Sequence, residues 1–398
     1  MDARAPQGRC LPVDMWRGAA LCTIFIDHIP GNVFERLTYK NFGLSDAAEA
    51  FVFLSGVSVA LAFGRHTAPG FRAGFLRWTT QRILKLYAVH ILLSLTAVAI
   101  FAFGAAATGK IGLLQQHGRW LFIDDPQAAI LGLLCFGHQI GYFNILPVYV
   151  VMLAMTPAML WLAHLDARLL LASSLALYAL ARLGHFNLPS WPEGGEWFLN
   201  PATWQLMLAL GIAAGLRTSR RPVPRRRDLA VLAGAIVAAG AICGTGGLGL
   251  WPELTDLAHI SADVGKTMLG SGRIVHFLGV CYLIYYVRIG AGGRGVLHDC
   301  LARIGRRGLW SYAWLSLLAA VGQVIVYTEG HWPPIDAALI GGGIASAALW
   351  AALLDRIPGP RTRHDRGRAG GFVEQRSSGA FLPPMSSSTL RTRVADPV

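Results

Sequence analysis

Apolar stretches of about twenty residues recur from residue 13 to residue 354, separated only by short polar intervals. A bilayer core takes roughly 20 apolar residues per helix. Runs near 13–30, 47–64, 84–106, 145–164, 168–184, 200–217, 228–250, 273–290, 308–327 and 335–354 therefore predict about ten transmembrane helices. The stretch 111–140 is also apolar, but Arg119, Asp124, Asp125 and Pro126 interrupt it. Its pieces are too short to cross, so it reads as a re-entrant or interfacial excursion, which needs protein or water around its backbone. The fold class expected is all-α: one polytopic integral membrane helix bundle over residues 1–355.

The cationic residues gather between these runs. Arg65, Arg72, Arg77 and Arg82 follow the second run, Arg220, Arg221, Arg225, Arg226 and Arg227 follow the sixth, and Arg294, Arg303, Arg306 and Arg307 precede the ninth. With ten spans all of these fall on one side, which the positive-inside rule makes the cytoplasmic one. Both termini are then cytoplasmic, and 31–46, 107–144, 185–199, 251–272 and 328–334 face outward from a multi-pass protein of the bacterial inner membrane. Residues 356–398, rich in Arg, Gly, Ser and Pro, lack the apolar surface to order themselves and are expected to form a disordered basic cytoplasmic tail.

Composition agrees: 54% of the 398 residues are apolar and only 14% charged, against roughly 25% charged in a soluble domain. The net charge of +13 would point to nucleic acid in a soluble protein. Here membrane orientation accounts for it, and lipid rather than nucleic acid is the expected partner. The six cysteines are scattered without disulfide or metal spacing. Asp14 and Arg17 lie inside the first apolar run, which argues for a retained helix rather than a cleaved signal.

Ionisable groups within spans cost roughly 2.5–3.5 kcal/mol each on insertion scales and favour the bundle interior. The first span carries Asp14 and Arg17 at one end and His28 at the other. Eleven positions are about three helical turns, so Arg17 and His28 share a face, with Asp14 one turn from Arg17 as its partner. Position alone equally fits Asp14 and Arg17 at headgroup level and His28 ending the helix. Asn41, Ser45, Asp46 and Glu49 open the second span. Capping explains Ser45 and Asp46, whereas Glu49 lies deeper, where a carboxylate suits orienting or deprotonating a histidine. His138, Tyr142 and Asn144, then Asn200, Trp204 and Gln205, then Lys266, Arg273 and His276 add polar groups in apolar or outer segments. Together they describe a polar cavity opening outward, with Trp191, Trp197 and Trp204 offering flat faces to sugar rings or belting the interface.

No G-x-S-x-G elbow or H-E-x-x-H helix occurs, and Gly265-Lys266-Thr267 fails as a phosphate loop because position 260 is Ile. No metal site is expected. His331 and Asp336 have the spacing of glycerolipid acyltransferases, but Pro333 and Pro334 intervene and twelve histidines make a chance match easy.

Asp14 to Asn32, Asn41 to Gly56, Tyr142 to Pro147, Asn200 to Gln205, and Lys266-Thr267 through Arg273 and His276 resemble the glucan succinyltransferases of the OpgC type, relatives of the membrane acyltransferase-3 superfamily. One departure is Gly305 to Ser311, where Arg307 and Gly308 stand in place of an expected small polar residue before Leu309. The resemblance implies a membrane-bound O-acyltransferase moving a succinyl group from a cytoplasmic coenzyme A thioester, a donor substrate rather than a bound cofactor, to hydroxyls of an osmoregulated periplasmic glucan. His28 would be the base or transient acyl carrier. Arg17 would hold donor phosphates or carboxylate, and Asp46 and Glu49 would orient His28 or the acceptor. Asp14, Asn41, His138, Trp204, Gln205, Lys266, Arg273 and His276 would bind substrate. The rival readings are a transporter or flippase for a sugar polymer or its precursor, and a structural subunit of an export assembly.

Overall fold

The structure, a computed structural model, describes residues 10–63, 71–220, 223–244, 262–290, 293 and 295–357. The predicted tail from 358, the end of the seventh predicted span, most of the outer loop after it, and Arg65, Arg221 and Arg294 lie outside the described residues.

The described elements are helical apart from one isolated bridge between Pro189 and Glu196. In chain order the α-helices are α1 (Leu11–Asp27), α2 (Ala47–Phe63), α3 (Phe71–Thr108), three short pieces α4 (Gly112–Gln115), α5 (Leu121–Asp124) and α6 (Pro126–Leu134), then α7 (Ile145–Leu165) and α8 (Ala167–Leu183). They continue with α9 (Pro201–Arg220), α10 (Arg227–Gly244), α11 (Ser271–Val287), α12 (Val296–Arg306), α13 (Gly308–Glu329) and α14 (Pro333–Arg356).

Each predicted span has a helix, but they differ in kind. Five stretches are long and apolar enough to cross a membrane: Ala73–Thr108, Gly141–Leu165, Arg227–Gly244, Gly308–Glu329 and Pro333–Arg356. In contrast α1, α2, α8 and α11 have 17 residues each, about 25 Å of rise against a hydrocarbon core of about 30 Å. Three of them are bounded at one end by a turn or a polar cap. Pro30 and the positive φ of Gly31 end the turn after α1, Asp46 caps α2, and Asp263 accepts from the Ser271 N–H at the start of α11.

Interior packing relies on small residues that let backbones approach. A Cβ on Gly56 of α2 would lie 2.2 Å from the Leu208 oxygen of α9, and one on Gly305 of α12 would lie 1.8 Å from the Asp14 oxygen of α1. The α12 crossing was not anticipated. The sequence reads 291–307 as a cytoplasmic loop, yet Val296–Arg306 is an amphipathic helix whose Ala302, Ile304 and Gly305 are buried. Likewise α3 begins at Phe71, before the predicted 84, because the basic stretch preceding the span holds no proline and only Gly74 to weaken a helix. The stretch 111–140 forms α4, α5 and α6, of 4, 4 and 9 residues, none long enough to cross.

Candidate functional site

Two polar clusters lie at opposite ends of α1. At its start, Arg17 Nη1 is 3.3 Å from Asp14 Oδ1, the partner expected from their spacing. Nη2 donates to the Leu54 carbonyl at 3.2 Å and to Ser58 Oγ, and Nη1 reaches the Gly305 carbonyl at 3.5 Å. The guanidinium is thus fixed between α1, α2 and α12, where it lines a cavity of about 240 Å3 with Arg82, Arg306, Trp78, Tyr149 and Tyr312. Gly308 lies here too: a Cβ at that position would meet Arg17 Cδ at 3.2 Å. The departure at 305–311 therefore leaves room for the arginine stem, while Ser311 Oγ bonds the Ile304 carbonyl.

At the other end, Asp46 and Glu49 cap α2 reciprocally. Asp46 Oδ1 accepts from the Ala48 N–H at 2.8 Å, and Glu49 Oε2 accepts from the Asp46 N–H at 2.9 Å, a capping-box geometry. Their remaining oxygens take cations brought from the other end of the sequence. Lys266 Nζ is 2.6 Å and Arg273 Nη2 3.0 Å from Asp46 Oδ2, and Arg273 Nε is 2.6 Å from Glu49 Oε1. Burial pushes the Asp46 carboxyl up, but Lys266, Arg273 and the Ala48 N–H outweigh it and hold it well below the usual carboxylate range.

Beside this network is a second cavity, of about 180 Å3, lined by Asp27, His28, Lys40, Asp46, Tyr142, Asn144 and Lys266 among others. The His28 ring lies against Tyr142, centroids 4.6 Å apart, while the His28 carbonyl accepts from Gln323 Nε2 at 2.8 Å. Asp27 Oδ1 accepts from Thr38 Oγ1 at 2.7 Å and is 3.4 Å from Lys40 Nζ. No hydrogen bond joins the His28 ring to a protein group among the described residues. The expectation that Glu49 orients His28 is therefore corrected: Glu49, fully buried, is engaged by Arg273 and the Asp46 N–H instead.

The other residues expected to bind substrate separate into supports and outliers. Trp204 Nε1 donates to the Lys266 carbonyl at 3.0 Å, and the Asn200 N–H donates to the Thr267 carbonyl at 3.0 Å, so α9 fixes the backbone that presents Lys266. Gln205 is spent on Ser174 of α8, with both polar atoms of its amide used. His276 Nδ1 is 2.7 Å from Ser45 Oγ, and its ring fills the spaces beside Gly43 and Gly240, where a Cβ would lie 2.2 Å and 2.3 Å from it. Asn41 donates to the Glu35 carbonyl at 2.6 Å. His138 is buried 3.4 Å from Glu193, against Phe122, and does not line the cavity. Gln205, His276, Asn41 and His138 thus do not line this cavity; each makes a local polar or packing contact invisible to spacing alone, with His276 Nε2 and the His138 ring nitrogens left without a hydrogen-bond partner among the described residues. Tyr142 and Asn144, expected among the polar groups of an outward cavity, do line it, as does Lys40, which was not singled out. Tyr142 lay within a matched stretch, and Lys40 had only its place in the outer loop to mark it.

The two cavities share Phe51 and Tyr312 in their walls. These rings stand between them, Phe51 beside Tyr149 at 6.0 Å and the Tyr312 hydroxyl donating to the Tyr142 carbonyl at 3.5 Å. Arg17 lines one cavity and His28 the other, eleven positions apart on α1, which is ~16 Å along the axis.

The family model for the OpgC protein matches residues 9–358, nearly the whole described chain. The chain belongs to the OpgC family. Membership ties it to the modification of osmoregulated periplasmic glucan in a transferase role, and its apolar helices fit a membrane protein. No curated protein and no solved structure matches it. For an OpgC-family chain the chemistry on offer is a free imidazole with cations to either side, and a guanidinium beyond two aromatic rings. Among the described residues no group of three or more His, Cys, Asp or Glu is placed to hold a metal ion.

Proposed function

We propose that this OpgC-family protein transfers an acyl group, succinyl, from a coenzyme A thioester on the cytoplasmic side to a hydroxyl of an osmoregulated periplasmic glucan. The observation that carries the reading is the pair of cavities meeting at Phe51 and Tyr312, with Arg17 in one and His28 in the other. A thioester donor has an anionic nucleotide end and a thin flexible arm. Arg17, with Arg82 and Arg306 beside it, suits the anionic end, and the arm would pass between the two rings to present the carbonyl near His28. A glucan hydroxyl entering the other cavity would give its proton to His28 as its oxygen attacks the thioester carbon. Collapse of the tetrahedral species breaks the carbon–sulfur bond, forms the ester, and returns the proton from His28 to the departing thiolate. Lys266, held by Asp46 and by the Trp204-fixed backbone, is placed to face the oxyanion or the free carboxylate of a succinyl group. In this account Asp46, Glu49 and Arg273 position Lys266.

The test is the mass of periplasmic glucans from cells lacking the protein and from cells carrying wild type or His28→Ala at equal membrane abundance. Acyl-sized mass shifts should return with wild type and fall about 10²–10⁴-fold with His28→Ala. Glucans of unchanged mass in every strain would turn the reading to transport.

A further inference from the structure

A third cavity, of about 510 Å3, lies between α1, α2 and α11, sharing Ala47 with the wall of the His28 cavity and no lining residue with the Arg17 cavity. On α1 it is lined by Pro12, Trp16, Ala19 and Thr23, and along α11 by Phe277, Val280 and Ile284 with Arg288 just past its end. Each set follows helical spacing over eleven positions, which is ~16 Å of rise and close to half of a ~30 Å hydrocarbon core. The facing wall of α2 contributes Ala50, Phe53 and Leu54. The long walls are apolar, and small side chains on α1 and α2 keep the trough open.

The charged side chains lining it are Arg225 and Arg288, both at one end. Arg288 follows α11 directly, and a Cβ on nearby Gly290 would meet Met15 Cε at 2.2 Å, which places this turn against the start of α1. Arg225 is held at the same mouth by its loop: the Tyr285 hydroxyl donates to the Val223 carbonyl, the Arg226 N–H donates to the Tyr282 hydroxyl at 3.0 Å, and the Arg225 guanidinium lies 5.6 Å from the Tyr285 ring. Neither guanidinium has a carboxylate partner among the described residues. Two unpaired cations over an apolar trough of leaflet length complement a molecule with an anionic head and a hydrocarbon tail.

We propose that this trough is a binding site for one anionic phospholipid, its phosphate between Arg225 and Arg288 and an acyl chain along α1 and α11. Basic pockets between spanning helices bind anionic head groups in this way. The lipid would complete the contact between α11 and the α1–α2 pair.

The full-length protein, purified and delipidated in a neutral detergent, is titrated with phosphatidylglycerol, phosphatidylcholine or inorganic phosphate while its thermal midpoint is followed. Phosphatidylglycerol should raise the midpoint saturably at one lipid per chain, with phosphatidylcholine and phosphate ineffective. The double variant Arg225→Ala/Arg288→Ala should need roughly 30-fold more phosphatidylglycerol for the same shift, and Val280→Trp, which fills the trough, should abolish it. Equal shifts from phosphatidylcholine, a shift from phosphate alone, or a wild-type titration unchanged in both variants would overturn the proposal. So would light scattering in which a second copy, rather than lipid, gives the stabilisation. The wild-type comparison of the two lipids decides the matter even if a variant fails to fold.

Discussion

Replacing Arg273 by Met isolates the network at the start of α2. The substitution keeps the stem but removes both charge-assisted bonds, to Glu49 Oε1 at 2.6 Å and to Asp46 Oδ2 at 3.0 Å. Asp46 would keep Lys266 at 2.6 Å. Glu49, fully buried, would keep only the Asp46 N–H. Breaking a buried pair from one side costs about 3–5 kcal/mol because the other charge is left uncompensated, and the surviving Lys266 contact sets the expectation near the lower end, about 3 kcal/mol. Glu49→Gln removes charge but retains an acceptor for the Asp46 N–H, and should cost about 1–2 kcal/mol. The double variant Glu49→Gln/Arg273→Met should then be more stable than Arg273→Met alone, since no ionised carboxylate is stranded at position 49. The assay is the SDS titration of the purified protein in mixed micelles, read by loss of helical circular dichroism. A double variant less stable than Arg273→Met, or Arg273→Met within about 0.5 kcal/mol of wild type, would refute the assignment of Glu49 as a buried anion held by Arg273.

Gly305→Ala should destabilise by about 1–3 kcal/mol, because its Cβ would lie 1.8 Å from the Asp14 carbonyl oxygen and force α12 off α1. Glucan modification should fall with it although His28 is untouched, read by glucan mass and by the same SDS titration. Acid should weaken the Asp46 network in a defined direction. The folded Asp46 carboxyl is held below its unfolded value, so its contribution is complete above about pH 5 and is lost as pH falls through about 3.9 and below. Thermal midpoints of wild type should therefore drop across that window, and those of Asp46→Asn should drop less.

Much of the helical order was legible because lipid imposes a simple length rule on apolar runs, and each predicted span has a helix. What the rule did not settle was which helices cross unaided, since α1, α2, α8, α9 and α11 fall short of the criterion that α3, α7, α10, α13 and α14 meet. The amphipathic α12 was missed because its arginines were counted as loop charge, although Val296, Leu297, Cys300, Leu301 and Ile304 follow helical spacing. At the candidate site, the Asp14–Arg17 pair could be read from a spacing of three on one helix. The Asp46–Lys266 and Glu49–Arg273 pairs join residues more than two hundred positions apart. The polar types at 46, 49, 266 and 273 gave away that they matter, but only tertiary packing could say that they neutralise one another rather than His28. Gln205 and His276 show the converse ambiguity: a polar side chain in an apolar run is as well explained by a bond to Ser174 or Ser45 as by a ligand.

Because Arg17 lies in α1 and His28 caps its C-terminal end, α1 acts as a ruler between the two cavities. Substitutions along it change only what they touch, whereas a single inserted residue between 17 and 28 would swing the imidazole by about 100° relative to the guanidinium and lengthen the span by ~1.5 Å. Two whole turns would restore the facing but overshoot the partition at Phe51 and Tyr312 by ~10 Å. The separation of the two groups is thus set by the residue count along α1 rather than by the size of either cavity.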